Sequence, residues 1–247
     1  MKVIVLAAGK GTRLRPLTDN RPKCMVELLG KPLIEHQLNI LNKHNIDNIY
    51  VATGYLEDKI EYPEIKGKFF NPDFDKTNMV VSLFKALPIM EGEDLLITYG
   101  DIVYNEDVLK KVLEDRSEIG VVVDLNWKPY WEARMEDPLS DAETLKLDDL
   151  GNITELGKKA SSYEDVSGQY IGMIKIRKDF VSKFISFYNS LDKTKMYDGN
   201  DFENMYMTSF LQKLTEDLIP LKPIYINNGW MEIDEPEDLE HTEFYIK

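Results

Sequence analysis

Four cations gather around two glycines near the start of the chain: Lys10, Arg13, Arg15 and Lys23, in the stretch LAAGKGTRLRPLTDNRPK. Gly9 and Gly11 follow the apolar run VIVLA, where backbone N–H groups can approach an anion with no side chain in the way. Four like charges on or beside one flexible loop repel each other unless an anion binds among them. Residues 1–32 carry a net charge of +5 in a chain whose total is −14, so the remaining residues carry −19. A cationic segment in an acidic protein points to a site for one compact anion. The overall charge argues against general binding to nucleic acid or to an anionic membrane. Two named phosphate motifs fail. The dinucleotide fingerprint needs a third glycine, but Leu14 stands there. The P-loop needs its lysine after the second glycine, whereas Lys10 lies between the two.

The elements that must position this loop show in the spacing. VIVLA reads as a buried strand, apolar without alternation. PLIEHQLNILNKHN reads as a helix with Pro32 in its first turn, NIYVATG and GKFFNP as strands, and NMVVSLFKAL as a helix with Thr77 as its cap. DLLITYGD is a strand ending at Gly100-Asp101, and strand ends at a sheet edge are where ligands collect in α/β folds. NEDVLKKVLEDR is a helix with acids early and bases late, and IGVVVDL a strand. Alternation of this kind through about residue 125 implies a parallel sheet covered on both faces. Beyond it, TLKLDDLGNITELG reads as a hairpin turning at 149–152, GQYIGMIKI as a strand, DFVSKFISFYNSL and NDFENMYMTSFLQKL as helices, PLKPIYINN as a strand and EPEDLEHTEFYI as a closing helix. The expected fold is α/β and Rossmann-like, a mixed, mostly parallel sheet flanked by helices. It is expected to form one domain over residues 1–247, with a nucleotide-binding half (1–125) and an acceptor-binding half with the closing helix (126–247).

A single cysteine, Cys24, permits no intrachain disulfide, and no signal-peptide pattern or long apolar run is present. A cytoplasmic protein with no membrane insertion is expected. The three histidines lack metal-ligand spacing.

The wider segment, LAAGKGTRLRPLTDNRPKCMVEL followed by GKPLIEHQL, resembles the signature of the nucleotidyltransferases that make sugar nucleotides and related activated alcohols. The resemblance implies a glycine loop wrapped around a triphosphate, with Leu6, Ala7, Ala8, Gly9, Lys10, Gly11 and Thr12 binding the nucleotide. It puts Arg13, Arg15 and Lys10 near the β- and γ-phosphates and Lys23 near the α-phosphate. Tyr99-Gly100-Asp101 resembles the family's glycine-aspartate pair, and Asp234 in GWMEIDEPEDLE its second metal-binding aspartate, so Asp101 and Asp234 are implied ligands of Mg²⁺. The implied catalytic set is Lys23, Arg13, Asp101 and Asp234. Ala7, Ala8 and Gly9 leave room for a flat base. Asn78 and Ser82 resemble its reading segment, with a helix cap as the competing role for Asn78.

The ending Trp230-Met231-Glu232-Ile233-Asp234 resembles the cytidylyltransferase branch, whose members act on phosphocholine, 2-aminoethylphosphonate or phosphoglutamine. It implies CTP and a small phosphorylated, amine-bearing acceptor as partners, and a role in modifying capsule or cell-surface polysaccharide. A homodimer is compatible with all of this. Asp124 is then expected to pair with the ammonium, and Trp127, Tyr130, Trp131 and Tyr170 to offer aromatic faces, with core packing as their alternative. Arg134 and Lys158 are expected on the acceptor phosphate, with Glu155 and Glu232 beside the acceptor. A sugar-1-phosphate nucleotidyltransferase using UTP or dTTP, and a non-catalytic nucleotide sensor, are the competing readings.

Overall fold

The computed structural model describes residues 1–246. β1 (Lys2–Ala7) leads through 3-10 turns at Thr12–Leu14 and Lys23–Met25 into a small hairpin of β2 (Glu27–Leu28) and β3 (Lys31–Pro32). After α1 (Leu33–Lys43), β4 (Asn48–Thr53) pairs parallel with β1 and β5 (Ile65–Phe70) parallel with β4. α2 (Met79–Phe84) and α3 (Leu87–Met90) precede β6 (Leu95–Tyr99), which pairs parallel with β1 on its other side. Next come β7 (Ile102–Tyr104), α4 (Glu106–Glu114), β8 (Ile119–Asp124) and α5 (Trp127–Arg134). A hairpin of β9 (Glu143–Leu147) and β10 (Ile153–Lys159) is followed by β11 (Gln169–Ile176), α6 (Val181–Ser190) and α7 (Met207–Asp217). β12 (Lys222–Ile226), β13 (Trp230–Glu232) and α8 (Glu243–Ile246) complete the chain.

The central sheet runs β12-β8-β11-β6-β1-β4-β5, with β11 antiparallel to both neighbours and every other pair parallel. VIVLA is apolar throughout because both its faces are covered: Val3 and Val5 belong to the core shared with α1, while Ile4 belongs to the core shared with α2, α6 and α7. The mixed, mostly parallel architecture is the expected one.

Several boundaries differ from expectation for local reasons. Asn78, not Thr77, caps α2, its Oδ1 accepting from Met79 N at 2.7 Å. The helix expected through residue 87 breaks after Phe84, because Pro88 sits in the first turn of a new helix. The segment from Asn200 is helical only from Met207; Asp201 first closes a 3-10 turn on Asn204 N. The closing helix is a 3-10 turn (Pro236–Glu240) followed by α8. Pro32 flanks α1 rather than joining its first turn. α5 had no counterpart in the sequence reading, nor did the antiparallel pair of β13 and β7, three residues each.

Candidate active site

That short pair assembles the site. β13 lies against β7 with Glu232 opposite Ile102, and Ile233 N donates to Asp101 O at 3.0 Å. Asp101 and Asp234, far apart in sequence, thereby meet. The β6–β7 corner that carries Gly100-Asp101 is held by Gln37, whose Nε2 donates to Tyr99 O at 2.8 Å and Ile102 O at 2.7 Å. Gly100 is required there, because a β-carbon would lie 2.8 Å from Leu6 O.

Lys23 reaches the same point from the other side. Its Nζ donates to Asp101 Oδ2 at 2.6 Å and also to Asp234 Oδ1. Arg13 Nη2 lies 2.9 Å from Asp234 Oδ2. The loop is drawn tight by Thr18, whose Oγ1 donates to Gly11 O at 2.7 Å. Gly11 sits at φ = 60°, and a β-carbon there would stand 3.0 Å from Lys23 Cβ.

Carboxylates of Asp101, Glu232 and Asp234 fall within 4.8 Å of one another. Burial alone lowers the pKa of the Lys23 ammonium, but Asp101, then Asp234 and Glu232, outweigh it and hold it above the ordinary lysine value. Burial raises Glu232 well above the usual carboxylate range, and Asp234 and Asp101 add to that. Burial also works against ionisation of Asp234, yet Lys23 and Arg13 keep its pKa low. Asp101 Oδ1 is buried with no hydrogen-bond partner. Crowded hard oxygens with one left orphaned fit a divalent cation, so this donor set suits Mg²⁺.

Two cavities adjoin at this point, with Met79 and Tyr99 lining both. The first, about 160 Å³, is formed by Leu6, Ala7, Ala8, Gly9, Lys23, Gly100 and Asp101 on one side and Phe74, Thr77, Asn78 and Ser82 on the other. Asn78 both caps α2 and lines this cavity. Ser82 Oγ accepts from Asn71 Nδ2 at 3.0 Å. Lys10 lies with its Nζ 5.6 Å from the Phe74 ring centroid, Thr12 is exposed, and Arg15 turns outward towards Asp19 at 3.4 Å. The second cavity, about 310 Å³, is lined by Arg13, Trp131, Asp141, Glu143, Tyr170, Thr208, Glu232 and Asp234 among others.

The acceptor residues expected from sequence divide. Trp131, Tyr170 and Glu232 face the second cavity. Asp124 does not: it is fully buried and accepts from Asn126 N, Asn228 N and Trp230 Nε1, at 2.9, 3.0 and 2.8 Å. It ties β8 to the segment before β13, and no ammonium can reach it. Trp127 and Tyr130 are core residues of α5. Arg134 is committed to a two-pronged bond with Asp238, at 2.8 and 3.2 Å, under the rings of Tyr130 and Trp131. Glu155 pairs with Lys146 and Lys158 on the exposed hairpin. Lys158 borders a separate groove of about 990 Å³ beside α6 and α7. Sequence reading missed Asp141, Glu143 and Tyr99 as cavity residues and Asp238 as a support. Only Asp238 left a trace in the sequence, as the third residue after Glu235 in a capping box.

A sheet that delivers a cationic glycine loop, a lysine and crowded carboxylates to the edge of a base-sized cavity is the working part of a nucleotidyltransferase. Residues 3–142 match the MobA-like NTP transferase domain, and the chain belongs to that family. Over 249 residues it is 45% identical to the CTP:phosphoglutamine cytidylyltransferase of Campylobacter jejuni, covering 97% of this chain and 98% of that one. It is 27% identical to the choline-phosphate cytidylyltransferase of Streptococcus pneumoniae, covering 100% and 99% of the two chains. Among solved structures it resembles the inositol-1-phosphate CTP transferase from T. maritima in fold, with a TM-score of 0.76, 22% identity and 98% and 93% of the chains covered. Among the described residues no helix is long and apolar enough to cross a membrane.

Proposed function

We propose that this enzyme transfers CMP from CTP to a small phosphorylated, amine-bearing acceptor, phosphoglutamine foremost, and releases pyrophosphate. The observation that carries this reading is the end-to-end likeness, 45% identity over 97% of the chain, to an enzyme of that name. The site agrees with it in chemistry.

In this reading residues 1–125 bind the nucleotide and the remainder the acceptor. The cytosine lies in the first cavity against Ala7, Ala8 and Gly9, where the Asn78 and Ser82 side chains face its polar edge. Backbone N–H groups of the loop, with Lys10, Arg13 and Arg15, take the β- and γ-phosphates, and Lys23 takes the α-phosphate. An acceptor phosphate oxygen attacks the α-phosphorus in line. One P–O bond forms as the bond to pyrophosphate breaks on the opposite side. A phosphoryl group is at least singly ionised at neutral pH, and in a phosphomonoester the second pKa is about 6, so an anionic oxygen is available for attack and no general base is needed. Catalysis is positioning plus charge compensation, and Lys23, kept cationic by its carboxylate neighbours, offsets the charge that builds on the α-phosphate. Asp101 and Asp234, with Glu232 beside them, would hold Mg²⁺. When bound, that ion supplies further compensation of phosphate charge. The acceptor lies in the second cavity, where Tyr206, Met207 and Thr208 bring the electropositive start of α7 towards the acceptor carboxylate.

Asp101→Asn and Asp234→Asn test the roles directly. Each variant should stay folded and lose turnover at saturating Mg²⁺ by an amount equivalent to several kcal/mol. Near-native rates from folded variants would remove the carboxylates from the reaction.

A further inference from the structure

The second cavity contains two carboxylates that the reading above leaves unused: Asp141, which accepts from Trp131 Nε1 at 3.1 Å, and Glu143. Glu143 opens β9 and lines the cavity half-buried. Among the described residues no cation pairs with its side chain, and no hydrogen bond to its carboxylate is formed; its backbone alone is fixed. Its N–H donates to Gln169 Oε1 at 3.2 Å, and Gln169 Nε2 donates back to its carbonyl at 2.7 Å. Glu143 is therefore held in place while its acid group stays free. This sets it apart from other acids of this half of the chain: Glu155 has two lysines, and Asp238 has Arg134.

What surrounds the free group favours a cation. Asp141 lines the same wall, and the negative charge of Glu143 adds to burial in raising the Tyr99 and Tyr170 phenols, which stay neutral. Burial, with Asp141 adding to it, pushes the Glu143 carboxyl up to about 7, so the unliganded cavity disfavours its charge. A bound ammonium would reverse that by supplying the counter-charge the protein omits. Arg13, paired with Asp234, also lines this cavity, and Lys23 lines the adjoining one. The cavity thus combines a guanidinium able to meet a phosphoryl group with a carboxylate that has no counter-charge among the described residues. A molecule carrying both phosphate and ammonium matches that pair.

We propose that Glu143 receives the ammonium group of the acceptor and is the residue by which this enzyme selects amine-bearing acceptors. The proposal rests on the cytidylyltransferase reading above and replaces Asp124, which is sealed in the core, as the ammonium partner.

The test compares two acceptors with CTP: phosphoglutamine and the same phosphoramidate with hydrogen in place of its ammonium. Wild type, Glu143→Gln and Glu143→Asp are assayed for kcat/KM on both. A charge-assisted hydrogen bond of this kind is worth about 10- to 100-fold, so Glu143→Gln should lower the preference for the ammonium-bearing acceptor by that factor. Glu143→Asp, which keeps the charge, should retain more of the preference. An unchanged ratio in Glu143→Gln, or equal losses on both acceptors in both variants, would overturn the proposal while leaving the cytidylyltransferase reading standing. No transfer by the wild type to either acceptor would overturn both.

Discussion

Replacing Arg134 by methionine separates two roles for this residue, one on the acceptor and one inside the fold. The guanidinium meets Asp238 through Nε–Oδ1 at 2.8 Å and Nη2–Oδ2 at 3.2 Å, and both side chains are only 6% exposed. Removing one partner of a buried pair costs about 3–5 kcal/mol, because the other charge is stranded. Asp238 would keep two donors, Asp234 N at 2.7 Å and Glu235 N at 2.9 Å. The cost should therefore fall at the low end, about 3 kcal/mol, since methionine also preserves most of the packing against Tyr130 and Trp131. For a chain of this size that corresponds to a fall of about 6–12 °C in Tm. The kinetic consequence follows from the same bonds. Asp238 Oδ2 fixes the backbone of Asp234, so a loosened Asp238 blurs a carboxylate that, in the proposed mechanism, serves every acceptor alike. Calorimetry should show the drop in Tm, and kcat/KM should fall by one common factor for phosphoglutamine, 2-aminoethylphosphonate and phosphocholine. An unchanged Tm with a loss confined to phosphoglutamine would mean that Arg134 reads the acceptor carboxylate, and the positioning role would be wrong.

Asp124→Asn should lower stability by about 3 kcal/mol without altering acceptor ranking, because an amide cannot accept from all three donors that converge on this buried carboxylate; urea unfolding and acceptor competition check the two halves of that statement. Gly11→Ala should reduce both stability, by about 1 kcal/mol, and kcat, since its φ of 60° strains alanine and the new β-carbon presses on Lys23; a native kcat would show that the lysine is not held by the loop. Glu143→Gln should change the pH dependence of stability. A carboxyl raised from 4.5 to about 7 in the folded state favours the native protein fully only below pH 4.5, and that contribution disappears as pH rises through about 7. Wild type should therefore lose up to about 3 to 4 kcal/mol relative to Glu143→Gln across that window, reduced to about 2 to 3 kcal/mol by solvent screening of the half-buried group. Parallel pH–stability curves would show that Glu143 is not perturbed in the native protein.

The first 125 residues were legible because their signals are local. A strand covered on both faces must be apolar throughout, as VIVLA is, and the loop after it keeps its glycines and cations within a few residues. Residues 126–247 were legible only in part, because many of their partners are distant in sequence. Asp124, Arg134 and Trp127 look like a polar and aromatic lid when read alone. Trp127 packs into the core, and Asp124 and Arg134 are interior because Trp230 and Asp238, more than a hundred residues later, supply their bonds. β7 and β13 are three residues each, too short to show alternation, yet their pairing is what unites Asp101 with Asp234. Glu143 carried no signal at all: a glutamate at the start of an alternating strand reads as solvent-facing until the cavity beside it is seen.

Pyrophosphate release measured over a grid of nucleotides and acceptors bears most directly on the transfer itself. CTP, UTP and dTTP would each be paired with phosphoglutamine, 2-aminoethylphosphonate, phosphocholine and glucose 1-phosphate at saturating Mg²⁺, with kcat/KM determined for every pair. The expected result is a single dominant pair, CTP with phosphoglutamine, with the two other amine-bearing acceptors used less well and glucose 1-phosphate least. Dominance of UTP or dTTP with glucose 1-phosphate would contradict it.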